Sequence, residues 1–357
     1  MNVPGALTAK ATDRRPQRPP GRADAEILER PASTVRSSGL DAVRAIACLM
    51  VVLCHVSLYA GSGQLSGLKN GVMLFFALSG YLLYRPFVTG SVDLRRYGIA
   101  RIARILPAYV VALVGLTLVT GDRSFVERPL TYLLFMQNYD QALWQGFIGV
   151  SWSLTLEVLF YLTLPLIARA VAGRPTRLLA LAAASFVGGL LAIVVAVVLD
   201  PVPDRRMVTT LYPFMVWAFV PGMLVALWAD RPQLRSPIAL VAGIVLLIVG
   251  TTAPWASIDL PSAFGAFLVV GWVVAVAPDL RRLTSPAAAG AAISYSVYLW
   301  HGDLLASFDP LAALALTIAL AGLIYVVVER PSIDLGRALM PRQRHAAPAH
   351  GTAPVVA

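Results

Sequence analysis

Arg44 and His55 stand eleven residues apart in GLDAVRAIACLMVVLCHV, an apolar segment whose other charge is Asp41. On a helix of 3.6 residues per turn that interval is three turns plus about 20°, so both side chains share one face with roughly 16 Å of axial offset. An imidazole titrates close enough to neutrality to serve as a general base, and a guanidinium is a permanent, forked anion binder. A second apolar segment, VSWSLTLEVLFYLTLPLI, carries one charge, Glu157, with Ser153 and Tyr161 one turn to either side on the same face. Beside His55, that carboxylate would hold the imidazole tautomer and tune its basicity. Taken alone, Glu157 is equally a packing carboxylate bonded to a hydroxyl of another helix.

Three further segments add candidates. ISYSVYLWHGDLL contributes Tyr295, Tyr298, Trp300, His301 and Asp303. Trp300 is expected in an interfacial aromatic belt, and His301 either faces water or joins the site. GVMLFFALSGYLLYRPF brings Ser79 and Gly80, a small pair that permits close helix approach, with Asn70 just before it. RRYGIARIARILPAY holds Arg101 and Arg104 three residues apart on one face, which with Arg44 could clamp an anionic ligand such as a nucleotide phosphate. Most of its charge, however, is explained by topology alone. Cys48 lies on the Arg44 to His55 stripe, but a thiol in apolar surroundings is a poor acyl relay. It is six residues from Cys54, about 240° around the helix, so the two cannot form a disulfide. Phosphate-binding loops, hydrolase elbows and metal-ligand clusters are missing, and the four histidines are scattered, so no metal site is expected.

The elements that must position these groups are membrane helices. Of 357 residues 58% are hydrophobic and 13% charged, with a mean hydropathy of +0.72, whereas soluble domains carry about 25% charged residues. Residues 1–36 form a basic, Pro- and Gly-containing stretch expected to be a disordered cytoplasmic tail, as is 338–357. Between them, 37–337 is expected to be one all-α bundle of about ten transmembrane helices, at roughly 40–60, 70–89, 104–120, 149–169, 178–199, 207–228, 237–256, 260–277, 287–307 and 310–328. The segment from Pro129 to Met136 is too short to cross and is expected at the interface. With this count, 23 of the 29 basic residues fall on one side, five (Lys69, Arg123, Arg128, Arg205, Arg206) on the other, and Arg44 lies inside a span. The asymmetry predicts a multi-pass plasma-membrane protein with both termini cytoplasmic, and it accounts for the net charge of +10 without a nucleic-acid partner.

Six segments together resemble the acyltransferase 3 family of multi-pass enzymes, which modify sugars, glycans, lipids or macrolides using acyl-CoA. They are GLDAVRAIACLMVVLCH (39–55), GVMLFFALSGYLL (71–83), RRYGIARIARILPAY (95–109), SWSLTLEVLFYL (151–162), ISYSVYLWH (293–301) and ERPSIDLGR (329–337), in the family's order. The resemblance implies a ten-helix core, His55 as catalytic base with Arg44 as its motif partner, a role for Glu157, and donor contacts at Arg101 and Arg104. The remaining substrate-contact candidates are Asp41, Ser79, Trp152, Ser153, Tyr161, Tyr295 and His301. It further implies acyl-CoA, acetyl-CoA first, as donor substrate, no permanently bound cofactor, and a hydroxyl-bearing acceptor. Val158 stands where many relatives have a second acidic residue, Asp303 where proline is common and Ala42 where glycine is frequent, departures that bear on substrate preference. The hydrolase-like periplasmic domain of some relatives is not expected here. The competing class is a transporter or flippase that uses Arg44, His55 and Glu157 to bind substrate or protons.

Overall fold

The computed structural model describes residues 38–90, 92–144, 146–198, 207–208, 210–252, 259–276 and 284–340, all within one compact unit, Ser37–Ala357. The expected N-terminal tail, the C-terminal tail from 341 on, and Arg205, Arg206, Arg281 and Arg282 lie outside the described residues.

Apolar runs bounded by Gly, Pro and Asp set the elements. Helix α1 is Ser38–Tyr59, α2 is Gly71–Thr89, α3 is Leu94–Thr120, α4 is Trp152–Val171 and α5 is Pro175–Val198. Helix α6 is Val220–Trp228, α7 is Pro237–Gly250, α8 is Leu260–Val276, α9 is Thr284–Ser307 and α10 is Pro310–Ile324. After α10 the chain passes through one π-helical turn, Tyr325–Glu329, into α11, Arg330–Ala338. Asp93 starts α3 by accepting from the backbone N–H groups of Arg95 and Arg96, and Asp309 does the same for α10 at Leu311 and Ala312. No strand occurs among the described residues.

Every expected apolar block is helical, but the blocks are not equivalent. Among the described residues six helical segments are long and apolar enough to cross a membrane: Ser38–Tyr59, Ser66–Thr89, Leu94–Thr120, Gly149–Val171, Pro175–Val198 and Pro310–Ala338. Three apolar helices, Tyr212–Trp228, Pro237–Gly250 and Leu260–Val276, are shorter. The 14 residues of α7 rise about 21 Å, against about 30 Å of hydrocarbon. The expected continuous span over 207–228 is broken into Tyr212–Met215, a 3-10 turn at Val216–Ala218, and α6. Pro213 and Pro221 lack the N–H groups that a continuous ladder needs. Ser185 on α5 repairs the gap, its hydroxyl donating to Pro213 O at 2.7 Å and accepting from Trp217 N at 3.2 Å.

Leu118, Leu166, Ile238 and Leu311 are each more than 70% exposed, which water would oppose and lipid would not. Inside, Phe219 stacks on Phe160 with centroids 4.1 Å apart and meets Phe76 at 4.7 Å, joining α6, α4 and α2. Helices α2 and α6 cross backbone to backbone: a Cβ at Gly222 would strike Ala77 O, and one at Gly80 would strike Phe219 O. The stretch after α3 is folded inward as well as outward. It buries Tyr132 and Phe135 while exposing Leu130 and Leu134, and Gln137 and Asn138 hold the start of α4 by donating to Ser151 Oγ and Trp152 O, each at 2.8 Å.

Candidate active site

The in-span polar residues converge on two chambers that share no lining residue. The larger, about 980 Å³, is lined by His55 and Cys54 from α1, Trp152 from α4, Asp303 from α9, and Asn70, Asp122 and Trp144 from the connecting segments. The smaller, about 90 Å³, is lined by Arg44 of α1, Ser79 of α2, Arg101 and Arg104 of α3, Ser153, Glu157 and Tyr161 of α4, and Tyr295 and Tyr298 of α9.

His55 owes its tautomer to two neighbours. Its Nδ1 lies 2.8 Å from Val51 O, which can only accept, so Nδ1 carries the proton and donates there. His301, fully buried, has Nδ1 2.8 Å from Tyr298 O and 3.1 Å from Val297 O, so it too is protonated at Nδ1. Its Nε2 is thereby an acceptor, 3.3 Å from His55 Nδ1. The rings meet edge to face with centroids 4.9 Å apart and planes at 74°. His55 Nε2 is left with a free lone pair on a residue that lines the larger chamber.

The smaller chamber is organised around Glu157. Ser79 Oγ donates to Glu157 Oε1 at 2.6 Å, and Tyr161 OH donates to the same oxygen. Arg44 lies in the electrostatic field of Arg104, Glu157, Tyr161 and the buried Asp41. The Arg101 guanidinium sits 5.7 Å from the Tyr161 ring centroid and 5.9 Å from that of Tyr97. Between the chambers runs a polar layer: Tyr298 OH donates to Val150 O, and Ser153 Oγ donates to Tyr298 Oη at 2.7 Å. Val150 and Trp152 face one chamber, Ser153 and Tyr298 the other. Outside the spans, burial pushes the Asp259 carboxyl above its ordinary value, opposed by its bonds from Ser262 and by Lys69. No group of metal-ligating side chains occurs among the described residues.

The model of a family described as an acyltransferase domain matches residues 37–328. The chain belongs to the acyltransferase 3 family. It is 27% identical over 331 residues to Nodulation protein 10 of Rhizobium leguminosarum bv. viciae, covering 76% of this chain and 84% of that protein. A protein of Komagataeibacter xylinus named as a membrane-bound transacylase, BcsY, is 28% identical over 338 residues, covering 84% of this chain and 83% of its own. A protein of Staphylococcus aureus strain COL named as an O-acetyltransferase is 29% identical over 149 residues, 36% of this chain and 24% of that protein. No solved structure matches. The protein is thus a membrane acyltransferase by family, and its helices carry the exposed apolar surface that a membrane location demands.

Set against the family's motif residues, the site redistributes the expected contacts. Arg44, Ser79, Arg101, Arg104, Ser153, Glu157, Tyr161 and Tyr295 do share one chamber, whereas Asp41 is not in its wall and acts on it through the field at Arg44. Glu157, however, is bonded to Ser79 and Tyr161, and the side chain on His55 Nδ1 is His301. The register of α4 explains this. Trp152 is the α4 residue facing His55's chamber, and Glu157 lies five residues, about 7.5 Å, further along the helix. Ser153 turns to Tyr298 in place of Glu157, and Tyr295 OH is committed to Ile105 O at 3.1 Å.

Cys48 lines neither chamber; its thiol points to Ser294 O at 3.7 Å within a small apolar cluster with Val52 and Val297. Trp300, expected in an interfacial belt, is only 4% exposed because its ring fills the space left by Gly115 on α3. Tyr298, in the layer between chambers, and Asn70 and Asp303, in the wall of the larger, were marked on their segments without an assigned contact, whereas Asp122 and Trp144 in the same wall were not marked at all. Asp122 and Trp144 lie outside apolar segments, where polarity is ordinary and gives no signal.

Proposed function

We propose that the protein is an O-acyltransferase that moves an acyl group, acetyl first, from acyl-CoA to a hydroxyl of a sugar, glycan, lipid or macrolide. The carrying observation is the histidine pair, in which His55 keeps Nδ1–H toward Val51 O and His301 and leaves Nε2 as the basic atom. In this reading His55 Nε2 takes the acceptor's hydroxyl proton while the oxygen attacks the thioester carbonyl. The tetrahedral intermediate then collapses by breaking its C–S bond, and the imidazolium returns the proton to the departing CoA sulfur. His301 Nε2 stabilises the imidazolium by accepting from Nδ1 more strongly once the ring is charged.

Donor phosphates are assigned to Arg44, Arg101 and Arg104, whose forked guanidinium groups fit phosphate oxygens. At about 90 Å³ their chamber admits only part of a donor, so the pantetheine arm crosses the Ser153 and Tyr298 layer to reach His55. The basic residues at the α3 start support a reading in which that end of the bundle faces the cytoplasm of a plasma-membrane protein of about ten spans, with both termini cytoplasmic and the larger chamber toward the outer half.

The deciding experiment follows CoA release from acetyl-CoA, then longer acyl-CoAs, by purified protein in nanodiscs with sugar and macrolide alcohols, beside the His55→Ala variant. Acceptor-dependent turnover that falls by at least about a hundredfold with His55→Ala supports the reading. Movement of an unaltered ligand across the bilayer without thioester loss would replace it with the transporter.

A further inference from the structure

The larger chamber holds more polar chemistry than one proton transfer requires. Asn70 is 2% exposed. Its Nδ2 donates to Leu247 O at 2.9 Å, yet its Oδ1 has no partner although the residue lines the cavity. Asp303 repeats the pattern: Oδ1 accepts from Ile148 N at 3.0 Å while Oδ2 is buried and unpartnered. Trp144 Nε1, in the same wall, is a buried donor with nothing to donate to. Buried polar atoms in folded proteins are nearly always bonded, and here two acceptors and one donor lack a partner in one cavity of small-molecule size.

The charges narrow what completes them. Among the described lining residues the carboxylates are Asp122, Asp259 and Asp303, and the cation is Lys69. Asp259 lies in the field of Lys69, whereas Asp122 and Asp303 lie in each other's. A neutral polyol would satisfy Asn70 and Trp144 but leave two like charges facing one cavity. A ligand that brings a positive charge for the carboxylates together with hydroxyl groups, which donate to Asn70 Oδ1 and accept from Trp144 Nε1, satisfies both. Tyr59, Trp144 and Trp152 supply flat apolar faces on the same wall.

We propose that Asn70, Asp122, Trp144 and Asp303 form an acceptor subsite for a hydroxylated molecule that also carries a protonated amine, an amino sugar being the chemical class. The proposal rests on the acyltransferase reading and names its acceptor. An ammonium held between Asp122 and Asp303 has no lone pair, so it serves as a handle and not as a nucleophile. A hydroxyl of the same molecule is presented to His55 Nε2, gives its proton there, forms the new C–O bond and releases CoA as the C–S bond breaks.

The test separates binding from turnover. The His55→Ala protein in nanodiscs, with EDTA and no donor, is titrated with methyl glucosaminide, methyl N-acetylglucosaminide and methyl glucoside. The expected result is a Kd for the glucosaminide about tenfold below the other two, since hydrogen bonds to charged groups are the stronger ones. Asp303→Asn in that background is expected to abolish the preference, and its amide oxygen can still accept from Ile148 N, so the fold is kept; Asp122→Asn is the second variant. Equal binding of the three, or a preference untouched by both variants, overturns the subsite whatever the turnover. Wild-type transfer from acetyl-CoA to the same three compounds tests the reaction itself. A binding preference without transfer to any of them supports the subsite and counts against the transferase reading.

Discussion

An imidazole can take up a proton only through a nitrogen that does not already hold one, and at His55 that choice is made by Val51 O and His301 Nε2. Replacing His301 by alanine leaves Val51 O to fix the tautomer but removes the imidazole that accepts more strongly once His55 is charged, so kcat is expected to fall about tenfold to a hundredfold with the acceptor KM unchanged. His301→Gln can accept the same N–H through its side-chain oxygen and is expected to recover most of that loss in steady-state assays. Equal losses in both variants would instead make His301 a proton carrier.

Glu157 invites a prediction with two signs. Glu157→Gln keeps an oxygen for Ser79 and Tyr161 but removes the negative charge lining a chamber with Arg44, Arg101 and Arg104. The chamber then attracts donor phosphates more strongly, while the guanidinium groups lose the nearby negative charge that offsets their own. The expected outcome is a lower acyl-CoA KM together with a lower thermal midpoint in the same detergent, read by initial rates and by thermal unfolding.

Glu157 was expected beside His55 and instead stands among the arginines, but the grouping of Arg44 with Arg101 and Arg104, and the Glu157 to Tyr161 spacing of one helical turn, were legible in the sequence. The pairing of His55 with His301 was not. The two are 246 residues apart, and helical periodicity places a residue on its own helix without saying which neighbour it meets.

Among elements, the crossing of α2 and α6 fixes how Ser79 faces Glu157, because Gly80 and Gly222 bring the two backbones into contact. Gly222→Ala pushes a methyl into Ala77 O, and overpacking of this kind costs about 1–3 kcal/mol. A drop in thermal midpoint and a weakened donor KM are expected together, since the displaced α2 carries Ser79. Gly98→Ala on α3 is the control: no heavy atom lies within 4 Å of its added carbon, and alanine is the better helix former by up to about 1 kcal/mol. Its midpoint should be unchanged or higher. Helix positions were readable at this scale from apolar runs alone, and Ser79–Gly80 was already marked as a close-approach pair. The break before α6 was missed because hydropathy continues unbroken through Pro213 and Pro221, and its repair by Ser185 depends on a neighbouring helix.

For the whole molecule, orientation decides which solution each chamber can exchange with, and it is set by charge at the helix ends. The α4 to α5 connection carries Arg169, Arg174 and Arg177, while the segment after α3 carries Arg123 and Arg128 among Asp122, Glu127 and Asp140. Connections rich in Lys and Arg are retained on the cytoplasmic side, so the two are expected on opposite faces, with the Arg123 side outward. Both positions are exposed, and the native thiols Cys48 and Cys54 are buried, so a single introduced cysteine reports on itself. In intact cells Arg123→Cys is expected to react with a membrane-impermeant maleimide and Arg174→Cys only after the cells are opened. The reverse pattern would put the His55 chamber on the cytoplasmic side and require an acceptor drawn from inside the cell. Labelling of both in intact cells would mean that one of the segments between them does not cross. Since the three shorter apolar helices found among the described residues come after α5, α4 and the long α3 are where the charge rule makes its firmest statement.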